Sequence, residues 1–136
     1  MALFNWSQKY NIGIKSIDDQ HVKLFAIINS LHNAIVHQNS SMSVVQELLE
    51  ELLSYAKSHF RYEESLMEGN GYLELEKHII EHEKLINDLD KYKNRFDSGE
   101  LKDLNELLTF SINWLQNHIL VSDMQYSGFL IKQGVK

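Results

Sequence analysis

Residues 56–63 read Ala56-Lys57-Ser58-His59-Phe60-Arg61-Tyr62-Glu63, and the four-residue step from His59 to Glu63 decides how the chain folds. Side chains four apart on an α-helix project from one face, one turn above the other. An imidazole and a carboxylate are thereby aimed at the same small region. Both close a stripe that runs Val45, Leu48, Leu49, Leu52, Ala56, His59, Phe60 and Glu63. Apolar residues at steps of three and four mark an amphipathic helix, and a polar side chain on such a stripe is costly to bury without a partner.

Working outward, the pattern returns on both sides. A first helix over about Asp18 to His37 carries His21, Leu24, Phe25, Ile28, Leu31 and Ile35 on one stripe. A third carries Leu75, His78, Ile79, His82, Leu85, Ile86, Leu89 and Phe96, and a fourth carries Leu101, Leu104, Leu108, Leu115, His118 and Ile119, with Asp123 five places after His118. The breaks between them are the polar run His37-Gln38-Asn39-Ser40-Ser41 and the turns Gly69-Asn70-Gly71 and Asp97-Ser98-Gly99. Ser43 with Gln46 is placed as the capping box of the second helix. The chain contains no proline, so nothing interrupts these helices from within.

The expected fold is all-α: an up-down-up-down four-helix bundle with an N-terminal arm and a short C-terminal helical segment, in a single domain over residues 1–136. The arm, with Phe4, Trp6, Tyr10 and Ile14, is expected to pack across the bundle. Helices one and three carry their polar stripe residues near their starts, and two and four near their ends. Alternating directions bring all of them to one level.

Those residues are His21, His59, Glu63, His78, His82, His118 and Asp123. Mixed imidazoles and carboxylates suit a borderline transition metal such as iron, whereas calcium and magnesium prefer oxygen throughout. Structural zinc wants four ligands and would leave a surplus. Two octahedral ions offer about twelve positions. Five imidazoles, two bridging carboxylates and one bridging hydroxide leave about one position open, where dioxygen can bind.

Composition narrows the remaining choices. The 136 residues suffice for one domain with a real core. Nineteen acidic against thirteen basic residues give a net charge of −6, without a Lys/Arg cluster, which argues against nucleic acid as a partner. No apolar run approaches the roughly 20 residues that a membrane span needs, and no secretory signal is visible in Met1 to Tyr10. The absence of cysteine fits a cytoplasmic protein.

Taken together, Trp6, Gly13-Ile14, Ile17-Asp18-Asp19-Gln20-His21 with Phe25, His59-Phe60-Arg61-Tyr62-Glu63-Glu64, His78 with His82, Trp114-Leu115 before His118-Ile119, and Asp123 followed by Tyr126 resemble the hemerythrin family along almost the whole chain. Single HxxxE or HxxxH pairs are weak signals, but seven ligands in order form a specific signature. The resemblance implies a non-heme, oxo- or hydroxo-bridged di-iron centre. His78, His82 and His118 would hold one iron, His21 and His59 the other, and Glu63 and Asp123 would bridge. It implies dioxygen held reversibly at the second iron, for storage or for delivery to an oxygen-consuming enzyme, without enzymatic turnover.

Such a carrier needs dry walls, and Leu24, Phe60, Trp114, Leu115 and Ile119 match the family's oxygen-pocket positions by spacing. Tyr62 and Tyr126 are candidates to orient ligands by hydrogen bonding. The acidic residues Glu47, Glu50 and Glu51, and Glu74, Glu76, Glu81 and Glu83, read as solvated faces, and His32 and His37 carry no assigned role. The competing readings are an oxygen or redox sensor acting through a partner, and an enzyme reducing peroxide or nitric oxide. Oligomeric state is not legible in the sequence.

Overall fold

The computed structural model describes residues 10–36, 42–101 and 103–135. Its helices are α1 (Lys15–Val36), α2 (Met42–Gly69), α3 (Leu75–Asp97), α4 (Leu104–Asn117) and α5 (Met124–Lys132), with a π-helical turn, His118–Asp123, joining the last two. α1 packs on α2 and α4, and α3 packs on α2 and α4, which closes the expected four-helix ring. Residues 104–132 run on as one helical rod, so α5 is the C-terminal helical segment. Among the described residues no helix is long and apolar enough to cross a membrane.

The stripes pack as their spacing requires. Leu24, Phe25, Ile28 and Leu31 of α1 meet Leu49, Leu52, Ala56 and Phe60 of α2 in one buried cluster with Leu107, Trp114 and Leu115 of α4. α3 contributes least to it. Its buried residues are His78, His82, Leu89 and Phe96, while Leu75, Ile79, Leu85 and Ile86 are only half-buried. Two of its four buried residues are therefore imidazoles. The arm fastens the site end: Tyr10 meets the ring of Phe25 edge-on at 4.8 Å and accepts a hydrogen bond from Gln116. Ile12 N–H donates to Asp18 Oδ1 at 2.8 Å, tying the approach segment to the first turn of α1.

Several boundaries differ from the sequence reading. α2 starts at Met42, so Ser43 lies inside its first turn and does not cap it. Leu101 precedes the fourth helix, since Asp103 caps α4 by accepting Asn105 N–H at 3.0 Å. Leu101 is nevertheless buried, beneath a turn whose Gly99 has φ +79°. Gly71, at φ +72°, makes the α2–α3 turn. Phe4, Trp6 and the polar run 37–41 lie outside the described residues.

Candidate metal centre

His21 stands near the start of α1, His59 and Glu63 near the end of α2, His78 and His82 on the first turns of α3, and His118 and Asp123 at the two ends of the π turn. Antiparallel packing brings all seven to one level, and none is more than 4% exposed. They form two overlapping groups. Glu63, His78, His82, His118 and Asp123 offer ligand atoms within 4.8 Å of one another, and so do His21, His59, Glu63 and Asp123. The two carboxylates are common to both. Asp123 lies 2.9 Å from His21 Nε2 through Oδ2 and 3.1 Å from His118 Nε2 through Oδ1. Glu63 Oε1 lies 3.0 Å from His59 Nε2 and 3.5 Å from His82 Nε2.

The π turn explains a spacing that an α-helix would not tolerate. Five residues of α-helix carry a side chain about 140° round the axis, so His118 and Asp123 would diverge. A wider turn with i→i+5 hydrogen bonds brings the fifth residue back over the first, and such turns concentrate at functional sites. The five-residue step was present in the sequence, but its backbone meaning was not.

Burial and mutual charge set the protonation states. Burial and the charge of Asp123 push the Glu63 carboxyl up, but His59 and hydrogen bonds from His118 and His59 more than offset them and hold it at about 2. Burial holds His82 down to about 3, so it is neutral and keeps a lone pair to share. Burial opposes charge on His118 and Asp123 as well, yet each sustains the other. His118 is held well above the usual imidazole range, and Asp123 well below the usual carboxylate range. Burial raises the Tyr126 phenol, which stays protonated and donates to Glu63 Oε2.

The residues fit a metal pair. His78 Nε2, His82 Nε2 and both Asp123 oxygens are buried without a hydrogen bond, although they crowd one another. Buried polar groups rarely remain so. His59 Nδ1–H donates to Gln20 Oε1 at 2.6 Å and His82 Nδ1–H donates to Glu64 Oε2 at 2.7 Å. Both acceptors hold a proton on Nδ1, and on the neutral His82 this leaves the Nε2 lone pair turned inward. His59 Nε2, which donates to Glu63 Oε1 at 3.0 Å, also faces His21 Nε2 at 3.1 Å, so a cation bound there would take the place of its proton. The set of imidazole nitrogens and carboxylate oxygens matches a borderline transition metal.

Aromatic and aliphatic side chains pack beside the seven residues. Phe60 stacks on His82 with ring centroids 3.9 Å apart and planes 4° from parallel, and meets His118 edge-on at 4.9 Å. Trp114 lies 5.8 Å from Phe60 and 6.5 Å from His118. Leu24, Leu115 and Ile119 are fully buried in the same core. Of the two tyrosines singled out from the sequence, Tyr126 reaches Glu63, whereas Tyr62 points away and donates to Ser16 Oγ at 2.7 Å. Glu81 is not simply a solvated charge: its Oε1 lies 3.8 Å from His118 Nδ1. His32 is half-buried on α1, away from the centre. Gln20 and Glu64 stood inside the quoted motifs without a role. Their adjacency to His21 and Glu63 was the only signal for them.

A closed helical bundle with two fused, buried histidine and carboxylate groups places the chain among helical bundles whose core can hold metal. Comparison with known proteins narrows the class. The family model described as "Hemerythrin HHE cation binding domain" matches residues 12–130. Bacteriohemerythrin of Pseudomonas aeruginosa strain PAO1 is 39% identical over 127 residues, covering 93% of this chain and 80% of that protein. Bacteriohemerythrin of Methylococcus capsulatus is 32% identical over 127 residues, covering 93% of this chain and 95% of that one. A crystal structure of wild-type hemerythrin superposes with a TM-score of 0.86 at 30% identity, over 95% of this chain and 98% of its own. The chain belongs to the hemerythrin family, whose fold is a di-iron, oxygen-binding one.

Proposed function

We propose that residues 1–136 form one hemerythrin-like domain that binds dioxygen reversibly at two non-heme irons, for storage or for delivery to oxygen-consuming enzymes. His78, His82 and His118 would hold one iron and His21 and His59 the other, with Glu63 and Asp123 bridging. The observation that carries this is the sharing of both carboxylates between a five-residue and a four-residue group. The smaller group leaves its metal with fewer protein ligands, hence room for a small molecule. When bound, the iron pair supplies the electrons that bind dioxygen.

The chain's own residues supply everything else. Five imidazoles, neutral when they ligate a metal, against two carboxylates donate less negative charge than a carboxylate-rich site, which favours holding dioxygen over splitting it. Phe60, Trp114, Leu24, Leu115 and Ile119 exclude water from the bound molecule. Tyr126 holds Glu63 Oε2 through its hydroxyl and orients that carboxylate. The reading is a binder and not an enzyme.

The test is an iron assay followed by repeated oxygen and argon cycles on anaerobically reduced protein. Two irons per chain and a charge-transfer band that rises and falls reversibly are expected. Steady consumption of oxygen or peroxide with a reductant would move the protein to the enzymes.

A further inference from the structure

We infer that Glu64 and Gln20 make the two metal subsites unequal, Glu64 strengthening the three-histidine subsite and Gln20 leaving the two-histidine subsite weaker. This rests on the assignment of the seven ligands above. The two residues occupy equivalent places, each accepting the Nδ1–H of an imidazole whose Nε2 faces inward. They differ in charge. Glu64 offers a carboxylate at 2.7 Å to His82, and Gln20 offers an amide oxygen at 2.6 Å to His59.

A hydrogen bond to an ionised acceptor is about twice as strong as a neutral one, and a carboxylate behind an imidazole raises its basicity toward a metal. Both residues lock the tautomer, but Glu64 alone adds electron density. Glu64 remains 26% exposed at its side chain, so it keeps contact with water. A second carboxylate, Glu81, stands 3.8 Å from His118 Nδ1 in the same subsite. The larger group therefore has three imidazoles, two of them with a carboxylate behind Nδ1, and the smaller has two, with a neutral acceptor on His59. A first divalent ion should enter the larger group. A weaker second subsite keeps the iron that meets dioxygen the less electron-rich of the pair. Glu64 and Gln20 are positioning residues, acting through His82 and His59.

The test is a Co²⁺ titration of metal-free protein, followed by d–d absorption and calorimetry, on wild type, Glu64→Gln and Gln20→Glu. Wild type should bind two ions in two resolved steps. Glu64→Gln should weaken the first step about 10- to 100-fold and leave the second nearly unchanged. Gln20→Glu should strengthen the second step by a similar factor and narrow the gap. Thermal melts of the metal-free variants check that each folds. If both variants fold and leave the two steps as in wild type, or Glu64→Gln weakens both equally, the inference is overturned. If wild type itself takes up fewer than two ions, the ligand assignment fails instead.

Discussion

His118 and Asp123 lie five residues apart yet meet at 3.1 Å, Nε2 to Oδ1, because the chain between them is wound as a π turn. This single backbone irregularity delivers one carboxylate to two groups of histidines. Asp123 Oδ2 reaches His21 on α1 while Oδ1 serves His118.

Asp123→Asn keeps the shape and removes the charge at that junction. Metal analysis should show iron falling from two per chain to one or fewer, with the helical circular dichroism of the folded protein retained. Full loading would show that Asp123 is not shared.

The acid behaviour of the metal-free protein follows from opposing shifts. His82 is depressed to about 3, so below the ordinary value of 6.5 an unfolded chain takes a proton that the folded chain refuses. Stability is lost as pH falls through that window. Glu63, held at about 2 against 4.5, contributes stability present above pH 4.5 and lost as pH falls toward 2. His118, raised, works in the opposite sense: its contribution is complete below 6.5 and fades as pH climbs through its folded value. Each unit of difference is worth about 1.4 kcal/mol. Urea unfolding of metal-free protein between pH 7 and 3 should give midpoints that decline from about pH 6.5 downward. A flat profile would contradict a neutral, buried His82.

α3 should depend on the metal more than the other helices do. Its buried residues are His78, His82, Leu89 and Phe96, and two of those four are imidazoles without a full set of partners. Metal removal should speed amide exchange in residues 75–85 at least tenfold, with little change in the centre of α1. Equal acceleration in both helices would show that the metal stabilises the bundle only as a whole.

Phe60→Ala removes the ring stacked on His82. Loss of a buried phenylalanine costs about 3–5 kcal/mol, read from denaturant unfolding. The loaded variant should also oxidise irreversibly faster under air, because water gains access to His82 and His118. Unchanged oxidation with the expected loss of stability would assign Phe60 to packing alone.

Gly13→Ala tests the fastening of the arm. Gly13 has φ +91°, and an added Cβ would sit 3.0 Å from the end of the flexible Ile131 side chain. The backbone cost is about 1–3 kcal/mol, since Ile131 can yield. Denaturant midpoints should fall accordingly, with metal stoichiometry intact.

What the sequence alone determined was periodic. His59 and Glu63, His78 and His82, and His21 above Leu24, Phe25 and Ile28 each fall on an apolar stripe, so helix geometry by itself turns them inward and chain direction brings them to one level. Nothing periodic announces Gln20, Glu64 or Glu81 as imidazole partners, because each reaches a histidine on a neighbouring helix and the contact depends on how those helices are rotated about their axes. The same rotation sends Tyr62 to Ser16 and Tyr126 to Glu63. The π turn belongs with them: a five-residue step has no favourable face on an α-helix, and only packing around the buried centre selects the wider winding that makes it useful.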